Sequence, residues 1–293
     1  LQSADRNLRG FLSRGGAAAA GGGAGAGVEQ SGSTVRVKIE GVRNRCDDTQ
    51  SFSSAMHCLK KKVTKRKKTF LQIGANDGYT NDPLYPLINK EKDKWIGLLV
   101  EPTPDNFEKI LKLHSDASHW GFFNGAVAGA NLCINNEITF YHGVEGTAPD
   151  GKPKHWIHNG QVNNVNPKGP HNQHLEQSKR PCSSSITDLI KKHGSREFQK
   201  HVALYGLDLL QIDIECMDVE VLKIFPWKTK ANEDSQPNAI AVNHVHYESL
   251  ECMGSDGIAL AQDILKKNDY SVYEEGGAGR DTYASRIPYN PFA

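Results

Sequence analysis

Phe70 to Gly78 read FLQIGANDG, a short apolar run that leads directly into a glycine-rich turn. A short apolar run that ends at glycine is typical of a buried strand, and glycine lets the backbone turn sharply and approach a ligand closely. The turn differs from the dinucleotide-binding GxGxxG fingerprint, because Asn76 occupies the third position and Tyr79 the last. The stretch therefore predicts a strand and a ligand-facing turn, and it weakens the case for a nicotinamide cofactor.

On the C-terminal side of this stretch, apolar runs alternate with helical patterns. The predicted strands cover residues 70–73, 95–100, 121–127, 138–141, 207–214 and 239–245, and the predicted helices cover 84–90, 104–114, 185–192, 218–224 and 257–267. Two further runs, 271–273 and 282–287, predict a closing antiparallel hairpin. The alternation predicts an α/β fold with a doubly wound, mostly parallel sheet covered on both faces. Such sheets bind ligands beyond the carboxyl ends of their strands.

Three segments differ in composition. Residues 1–34 predict a disordered tail, because 15–27 contain only glycine and alanine and cannot form a core. Residues 35–68 predict an N-terminal extension with a short strand at 35–39, a short helix at 52–62 and the basic run KKKVTKRKK at 60–68. Residues 69–293 predict the main domain. Its polar stretch at 150–180 is interpreted as an insertion loop that covers a binding site, as lids often do.

The bulk composition is that of an ordinary globular protein. The 293 residues carry a net charge of +1, with 24% charged and 38% hydrophobic residues. A balanced charge argues against binding nucleic acid by bulk electrostatics. No apolar run approaches the roughly 20 residues that a membrane helix needs. Because the sequence begins with Leu1, the compartment stays open: cytoplasmic as written, or the Golgi or secretory lumen if an anchor precedes it.

The six cysteines contain no CxxC pair, which argues against a zinc ribbon or a thioredoxin-like motif. Cys46 and Cys58 could form a local disulfide in an oxidising compartment, although their spacing fits free thiols equally well. The basic run at 60–68 fits a solvated approach to the first strand, a contact for an anionic surface or nucleic acid, or a nuclear targeting signal. It lacks interleaved aromatic residues, so base stacking is not indicated.

Two acidic positions follow predicted strands. Glu101 ends the second strand, about two dozen residues after the glycine turn, where a carboxylate can accept both ribose hydroxyls. Asp213 interrupts the apolar strand 207–214, where an unpartnered carboxylate is costly. Asp218 and Glu220 are explained as favourable charges in the first turn of a helix. Glu101 and Asp213 are therefore the stronger functional candidates.

FLQIGANDG at 70–78, VEPTPDNFEKI at 100–110 and LLQIDIECMDVEVLK at 209–223 resemble the FkbM-type methyltransferases. The resemblance runs from about residue 69 to 287, with the three motifs in the order and spacing of the family. It implies a class I, Rossmann-like enzyme that uses S-adenosyl-L-methionine, mostly for O-methylation. No metal is expected.

The resemblance also implies roles for single residues. The loop of Gly74, Asn76 and Gly78 would surround the methionine portion of the cofactor, and Glu101 would hold the ribose. A second group of positions is implied less directly: Asn124 to Ala126 near the adenine, Asp213 beside the methylsulfonium or the acceptor hydroxyl with Glu215 close by, and Gln72 near the amino group. Gln72 and Cys216 replace residues that are usually acidic and glycine in the family.

An alcohol acceptor must lose a proton during methyl transfer. The candidate bases are Asp213, His244, His246 and Glu248, with both histidines expected at the end of the strand 239–245. A His-x-His pair also suggests a metal, but structural or hydrogen-bonding histidines are commoner. The insertion histidines are interpreted as a solvated loop: His155, His158, His171 and His174.

The expected acceptor is a hydroxyl on a sugar, a glycan or another small molecule. A nucleic-acid or protein acceptor is the alternative that the basic run motivates, and the absence of an Asn/Asp-Pro-Pro-Tyr type motif argues against N-methylation. Gln72 and Cys216 motivate a third hypothesis, a degenerate fold that binds the cofactor or a partner without turnover. The oligomeric state is left open.

Overall fold

The computed structural model describes residues 51–63, 65–143, 175–214, 217–229, 236, 238–248, 254–275 and 281–286. Several predictions therefore lie outside the described residues. They are the tail at 1–34, the strand at 35–39, most of the insertion, its four histidines, Cys46, Glu215 and Cys216.

Seven α-helices and ten strands are described. The helices are α1 Phe52–Lys62, α2 Tyr85–Ile88, α3 Pro104–Leu113, α4 Ile186–His193, α5 Arg196–Tyr205, α6 Asp218–Ile224 and α7 Gly254–Lys267, and a 3-10 helix spans Asn89–Lys94. The strands are β1 Lys68–Ile73, β2 Trp95–Val100, β3 Gly121–Phe123, β4 Ala126–Val127, β5 Glu137–Gly143, β6 Leu175–Ser183, β7 Leu207–Ile212, β8 Val242–Glu248, β9 Tyr270–Glu275 and β10 Asp281–Arg286.

The main sheet has seven strands in the order β3-β2-β1-β7-β8-β10-β9. The first five strands in this order, β3, β2, β1, β7 and β8, pair in parallel. The last two differ, because β10 pairs antiparallel with both β8 and β9. The predicted α/β class, the doubly wound sheet and the closing antiparallel hairpin are confirmed. The strand order reverses between β1 and β7, and such a switch point leaves a crevice at the carboxyl ends of the two strands.

Helices cover both faces of this sheet. On one face α4 to α7 pack against residues such as Leu71, Leu98 and Leu210. On the other face α1 to α3 pack against Phe70 and Leu99. Every residue of β1, β2 and β7 is buried, as expected for central strands of a parallel sheet that is covered on both sides.

Several boundaries differ from prediction. The predicted strand 121–127 is two strands, because the chain leaves the main sheet after Phe123 and joins a small second sheet at Ala126. The predicted strand 239–245 begins at Val242 and continues to Glu248. Helix α5 was not predicted at all, although Ser195 caps it by accepting a hydrogen bond from the Phe198 backbone.

The second sheet has the order β4-β6-β5. It corrects the predicted end of the insertion, because the last part of the stretch 150–180 belongs to β6 and pairs antiparallel with β5. A disulfide joins Cys133, between β4 and β5, to Cys182 in β6. Cys58 is also disulfide-bonded, to a cysteine outside the described residues, and none of the described cysteines is a free thiol.

Within the described part of the chain, no helix combines the length and the apolar character that crossing a membrane requires.

Candidate functional site

A cleft lies where the strand order reverses, beyond the carboxyl ends of β1, β2 and β7. Its empty volume is about 610 Å³, counting the space that is open to solvent. The described residues that line it are Ile73, Gly74, Asn76, Val100, Glu101, Pro102, Asn106, Gly125, Ala126, Val127, Phe140, Asp213 and Ile214. Four of the residues predicted from the sequence, Gly74, Asn76, Glu101 and Asp213, therefore meet at one site.

The glycine turn after β1 is shaped by backbone contacts. Gly74 and Ala75 both donate their backbone N–H to the Val100 carbonyl, at 3.0 Å each. Gly74 has a φ of +84°, and a Cβ there would lie 1.8 Å from the Asp213 carbonyl oxygen. Only glycine fits this position, because a side chain would collide with the segment that follows β7. The close approach holds the two ligand-facing segments together.

Asn76 adopts a left-handed conformation with a φ of 49°, which asparagine tolerates better than most residues. Its side-chain Oδ1 accepts a hydrogen bond of 2.7 Å from Nδ2 of Asn106. Asn106 lies in α3, is buried and lines the cleft. No role was predicted for Asn106 from the sequence, although its position within the motif VEPTPDNFEKI could have indicated one. The pair fixes the glycine turn against α3.

Glu101 is 5% exposed at the floor of the cleft. Its two carboxylate oxygens accept backbone hydrogen bonds, Oε2 from Asn76 at 2.9 Å and Oε1 from Thr103 at 2.8 Å. Each carboxylate oxygen has more than one lone pair, so both can accept further hydrogen bonds from a ligand. The backbone thus fixes the orientation of this carboxylate before any ligand arrives.

Burial raises the pKa of Glu101 to about 7. Hydrogen bonds from Thr103 and Asn76 oppose this shift, and the charge of Asp213 adds to it. The ionised form of Glu101 is therefore destabilised in the free protein, and a ligand that donates hydrogen bonds to the carboxylate stabilises that form.

Asp213 is the first residue after β7 and is half-buried. The expectation that Asp213 interrupts the strand is wrong, because β7 ends at Ile212. The backbone N–H of Asp213 donates a hydrogen bond of 2.9 Å to the Ile73 carbonyl. Its side chain faces a cleft instead of a core, so a carboxylate here does not carry the full cost of burial.

Asp218 lies in the first turn of α6, as predicted, but its side chain is fully buried. Its Oδ1 accepts a hydrogen bond of 3.3 Å from the Glu248 backbone, which ties the start of α6 to the end of β8. Burial raises the pKa of Asp218 well above its usual value, and the Asp213 charge raises it further. Burial thus favours the neutral form of Asp218, while Asp213 is half-buried and lines the cleft.

The remaining wall of the cleft is apolar. Ala126 and Val127 of β4 and Phe140 of β5 line it on the side of the second sheet. The side-chain amide of Asn124 donates to the carbonyls of Glu101 and Pro102, at 3.2 and 3.3 Å, in the orientation that satisfies both groups. Asn124 thus braces the Glu101 segment from outside the cleft, while the predicted adenine-side stretch 124–126 reaches it through Gly125 and Ala126.

Besides Asn124, two predicted cofactor-binding residues are not among the described residues that line the cleft. Gln72 is buried inside β1, and its side chain hydrogen-bonds to Asp82. Gly78 has a φ of +72° and packs against α3, where a Cβ would meet Ile110 at 3.3 Å. Both positions shape the surroundings of the glycine turn.

The structure places the two histidines away from the predicted mouth. His244 and His246 lie within β8, paired in register with Leu209 and Gln211 of β7. His244 Nδ1 is 2.8 Å from the Tyr283 hydroxyl, and His246 is 5% exposed with its ring 4.4 Å from that of Phe52. Neither is among the described residues that line the cleft.

Glu248, the last of the four candidate bases, ends β8 and contacts Asp218 through its backbone. Among the described residues, no group of three or more histidines, cysteines or acidic residues is arranged to hold a metal ion.

Comparison with solved structures finds distant likenesses. The METTL16 methyltransferase domain is 9% identical, with a TM-score of 0.39, over 80% of this chain and 67% of that one. A human methyltransferase 10 domain containing protein is 10% identical, with a TM-score of 0.36, over 85% of both chains. A precorrin-6y methyltransferase from Geobacter metallireducens is 11% identical, with a TM-score of 0.35, over 82% of this chain and 92% of that one. Comparison with curated protein sequences finds no match.

The sequence was also compared with models of protein families. The methyltransferase FkbM domain matches residues 72–272. This range contains the glycine turn, Glu101 and Asp213, and it covers more than half of the chain. The chain therefore belongs to the FkbM methyltransferase family, as its three sequence motifs predicted, and is an S-adenosylmethionine-dependent methyltransferase.

Proposed function

We propose that this methyltransferase acts on a hydroxyl group of a sugar, a glycan or another small molecule. The observation that carries the proposal is the meeting of two carboxylates in one cleft, Glu101 after β2 and Asp213 after β7. One suits a ribose, and the other suits an acceptor that must lose a proton.

The cleft fits S-adenosylmethionine by the chemistry of its lining. Glu101 presents a fixed, buried carboxylate that can accept hydrogen bonds from ribose hydroxyls. Val127 and Phe140 supply an apolar wall suited to the adenine. Asn76 and Asp213 supply polar groups for the methionine end, and the negative charge of Asp213 complements the sulfonium.

When bound, this cofactor supplies a methyl group on a positively charged sulfur that is already activated for transfer. The chain must therefore align the acceptor, exclude water and remove a proton. Asp213 would accept the proton of the acceptor hydroxyl, and the bound cofactor would supply the methyl group to the acceptor oxygen. The products are a methyl ether and the neutral thioether.

The pH dependence of cofactor binding tests the role of Glu101. Ribose hydroxyls that donate to Glu101 favour its ionised form, and the pKa of Glu101 in the free protein is about 7. Affinity for S-adenosylhomocysteine is therefore expected to fall by about tenfold between pH 8 and pH 6, because only the ionised fraction binds. Calorimetric titration at both pH values measures this change.

Glu101→Gln is the matched control, since glutamine has nearly the same shape and does not ionise. It should bind more weakly at pH 8 and show no such pH dependence. If Glu101→Gln binds S-adenosylhomocysteine as tightly as the wild type at pH 8, Glu101 does not contribute to cofactor binding.

The acceptor class is tested by methyl transfer from labelled S-adenosylmethionine to a panel of sugars, oligosaccharides and other hydroxylated small molecules, with RNA and peptides in parallel. We expect label on the hydroxyl compounds, and none with Glu101→Ala. Label on RNA or peptide alone would favour the alternative acceptors. Cofactor binding without transfer to any class would favour the degenerate fold.

An oxidising compartment such as the Golgi or secretory lumen is part of the proposal. The Cys133–Cys182 disulfide and the disulfide at Cys58 support it, because disulfides persist mainly in oxidising environments. Mass spectrometry of the protein from its native source, alkylated before reduction, tests this. Free thiols at both Cys133 and Cys182 would contradict it.

A further inference from the structure

A second, strongly basic groove lies at the opposite end of the main sheet from the cofactor cleft. Its empty volume is about 710 Å³, counting the space that is open to solvent, and its described lining is Lys60, Val63, Lys65, Arg66, Lys67, Lys68, Glu91, Asp93 and Lys94. Lys68 begins β1, whereas the cleft lies beyond Ile73 at its other end. At about 3.3 Å per residue the two sites are roughly 17 Å apart along the strand.

Part of the positive charge in this groove is already neutralised. Arg66 forms a two-point ion pair with the buried Asp208, at 2.6 and 2.8 Å. Lys67 lies 3.1 Å from Glu197, and Lys94 lies 3.2 Å from Glu91. The contacts of Arg66 and Lys67 hold the second half of the basic run 60–68 against the domain.

Lys68 differs from these residues. Its side chain is 2% exposed, and its ammonium lies 5.5 Å from the centre of the Trp95 ring. No acidic side chain of the described residues lies within ion-pair distance of it, or of Lys60 and Lys65 in the same groove. The described residues therefore give the Lys68 ammonium a ring contact but no carboxylate partner at the groove that it lines.

The electrostatic surroundings of Lys68 agree with this geometry. Burial lowers the pKa of Lys68, Lys94 and Lys60 lower it further by repulsion, and Glu91 and Asp208 oppose the shift. An anion bound between Lys60, Lys68 and Lys94 would instead raise the pKa of Lys68, because it would stabilise the charged ammonium. The groove therefore has the charge, the shape and three lysines without an ion-pair partner among the described residues, Lys60, Lys65 and Lys68, for a negatively charged ligand.

We propose that this groove binds a tetrahedral oxyanion, a sulfate or phosphate group. Lysine ammonium groups recognise such a group as point charges with three donors each. The groove has an empty volume of about 710 Å³ that is open to solvent, so it can admit the group either as the free ion or as an ester on a larger molecule. The described lining contains no aromatic side chain, which disfavours nucleic acid because no base can stack there.

Calorimetric titration of the full chain with sodium sulfate and sodium phosphate, against sodium chloride at matched ionic strength, tests the proposal. We expect saturable binding of sulfate or phosphate. Lys68→Met, which keeps the length of the side chain without its charge, should weaken that binding by about tenfold or more. Lys60→Met is the second variant, in case the buried substitution prevents folding.

Lys112→Met is the control, because Lys112 is an exposed lysine on α3 outside the groove. It should bind both ions as the wild type does. Titration with S-adenosylhomocysteine shows whether each variant keeps the cofactor cleft. A loss of ion binding is therefore distinct from a failure of the proposed methyl transfer. Unchanged ion binding in both Lys68→Met and Lys60→Met, or no preference over chloride in the wild type, would overturn the proposal.

A sulfated oligosaccharide distinguishes the sources of the group. If it competes with inorganic sulfate and binds more tightly, the groove holds an ester group of a glycan. If it does not compete, the free ion is the ligand. Single-stranded RNA of equal charge that binds more tightly than either, with a loss in Lys68→Met, would overturn the oxyanion assignment in favour of nucleic acid.

Discussion

Replacing Asp213 by asparagine is expected to lower kcat by about 100-fold to 10,000-fold, the usual contribution of a positioned general base. Asparagine keeps the size and polarity of the side chain but does not take the proton of an acceptor hydroxyl. Asp213 is suited to this step because it is half-buried, faces the cleft and follows β7 directly. Initial rates at saturating cofactor, with the acceptor identified by the panel above, measure the loss.

Two further readouts separate a base from a residue that only shapes the cleft. Binding of S-adenosylhomocysteine should persist in Asp213→Asn, because the inhibitor lacks the positive sulfur. The pH at which this binding is half-maximal should be lower than in the wild type, because the Asp213 charge contributes to the raised pKa of Glu101.

His244→Gln and His246→Gln are the comparison variants. Both side chains lie within β8, outside the described lining of the cleft, so folded variants should keep most of the wild-type kcat. If either histidine variant loses activity to the same extent while Asp213→Asn stays active, the base is that histidine, and the assignment of Asp213 is wrong.

The residues that could be placed from the sequence are those whose local pattern has one explanation. In FLQIGANDG an apolar run meets a turn whose Gly74 must take a positive φ, so strand and turn are both encoded within nine residues. Glu101 directly follows β2, a strand that is buried on both faces, and the end of that strand follows from the change in polarity. The ligand-facing residues of β1 and β2 therefore needed no tertiary information.

The errors arise where an apolar pattern has two explanations. Ile240 looks like the middle of a strand, but it forms only an isolated bridge with Trp227, and β8 begins two residues later. The strand also ends at Glu248, three residues later than predicted, where it pairs with Asp281 of β10. This later end places His244 and His246 within β8 rather than at its end. Asn124 and Gly125 likewise interrupt an apolar run where the chain changes sheets, and tertiary pairing alone decides this.

Helix α5 shows the opposite case, a signal that was present and not used. Ser195 is an N-cap, and Phe198 and Val202 are spaced to bury one face. The disulfide could not have been found in this way, because six cysteines allow 15 complete pairings and spacing does not choose among them.

Removal of the Cys133–Cys182 disulfide by the double substitution Cys133→Ala and Cys182→Ala is expected to lower the free energy of unfolding by about 4 kcal/mol. The two cysteines are 49 residues apart in sequence, and the loss of loop entropy in the unfolded chain accounts for the magnitude. Both positions are buried, and alanine leaves little unfilled space. Urea denaturation without reductant, followed by circular dichroism, measures the change, and a loss below about 0.5 kcal/mol would contradict it.

The same disulfide connects stability to the cofactor cleft. Cys182 pairs in register with Ala126, and both belong to a buried cluster with Phe140, two of whose members line the cleft. The double variant should therefore bind S-adenosylhomocysteine more weakly even where it is fully folded. Reductant is a poorer test, because it also opens the disulfide at Cys58; in the double variant that second bond stays closed, so any loss of affinity belongs to the wall that β4, β5 and β6 form.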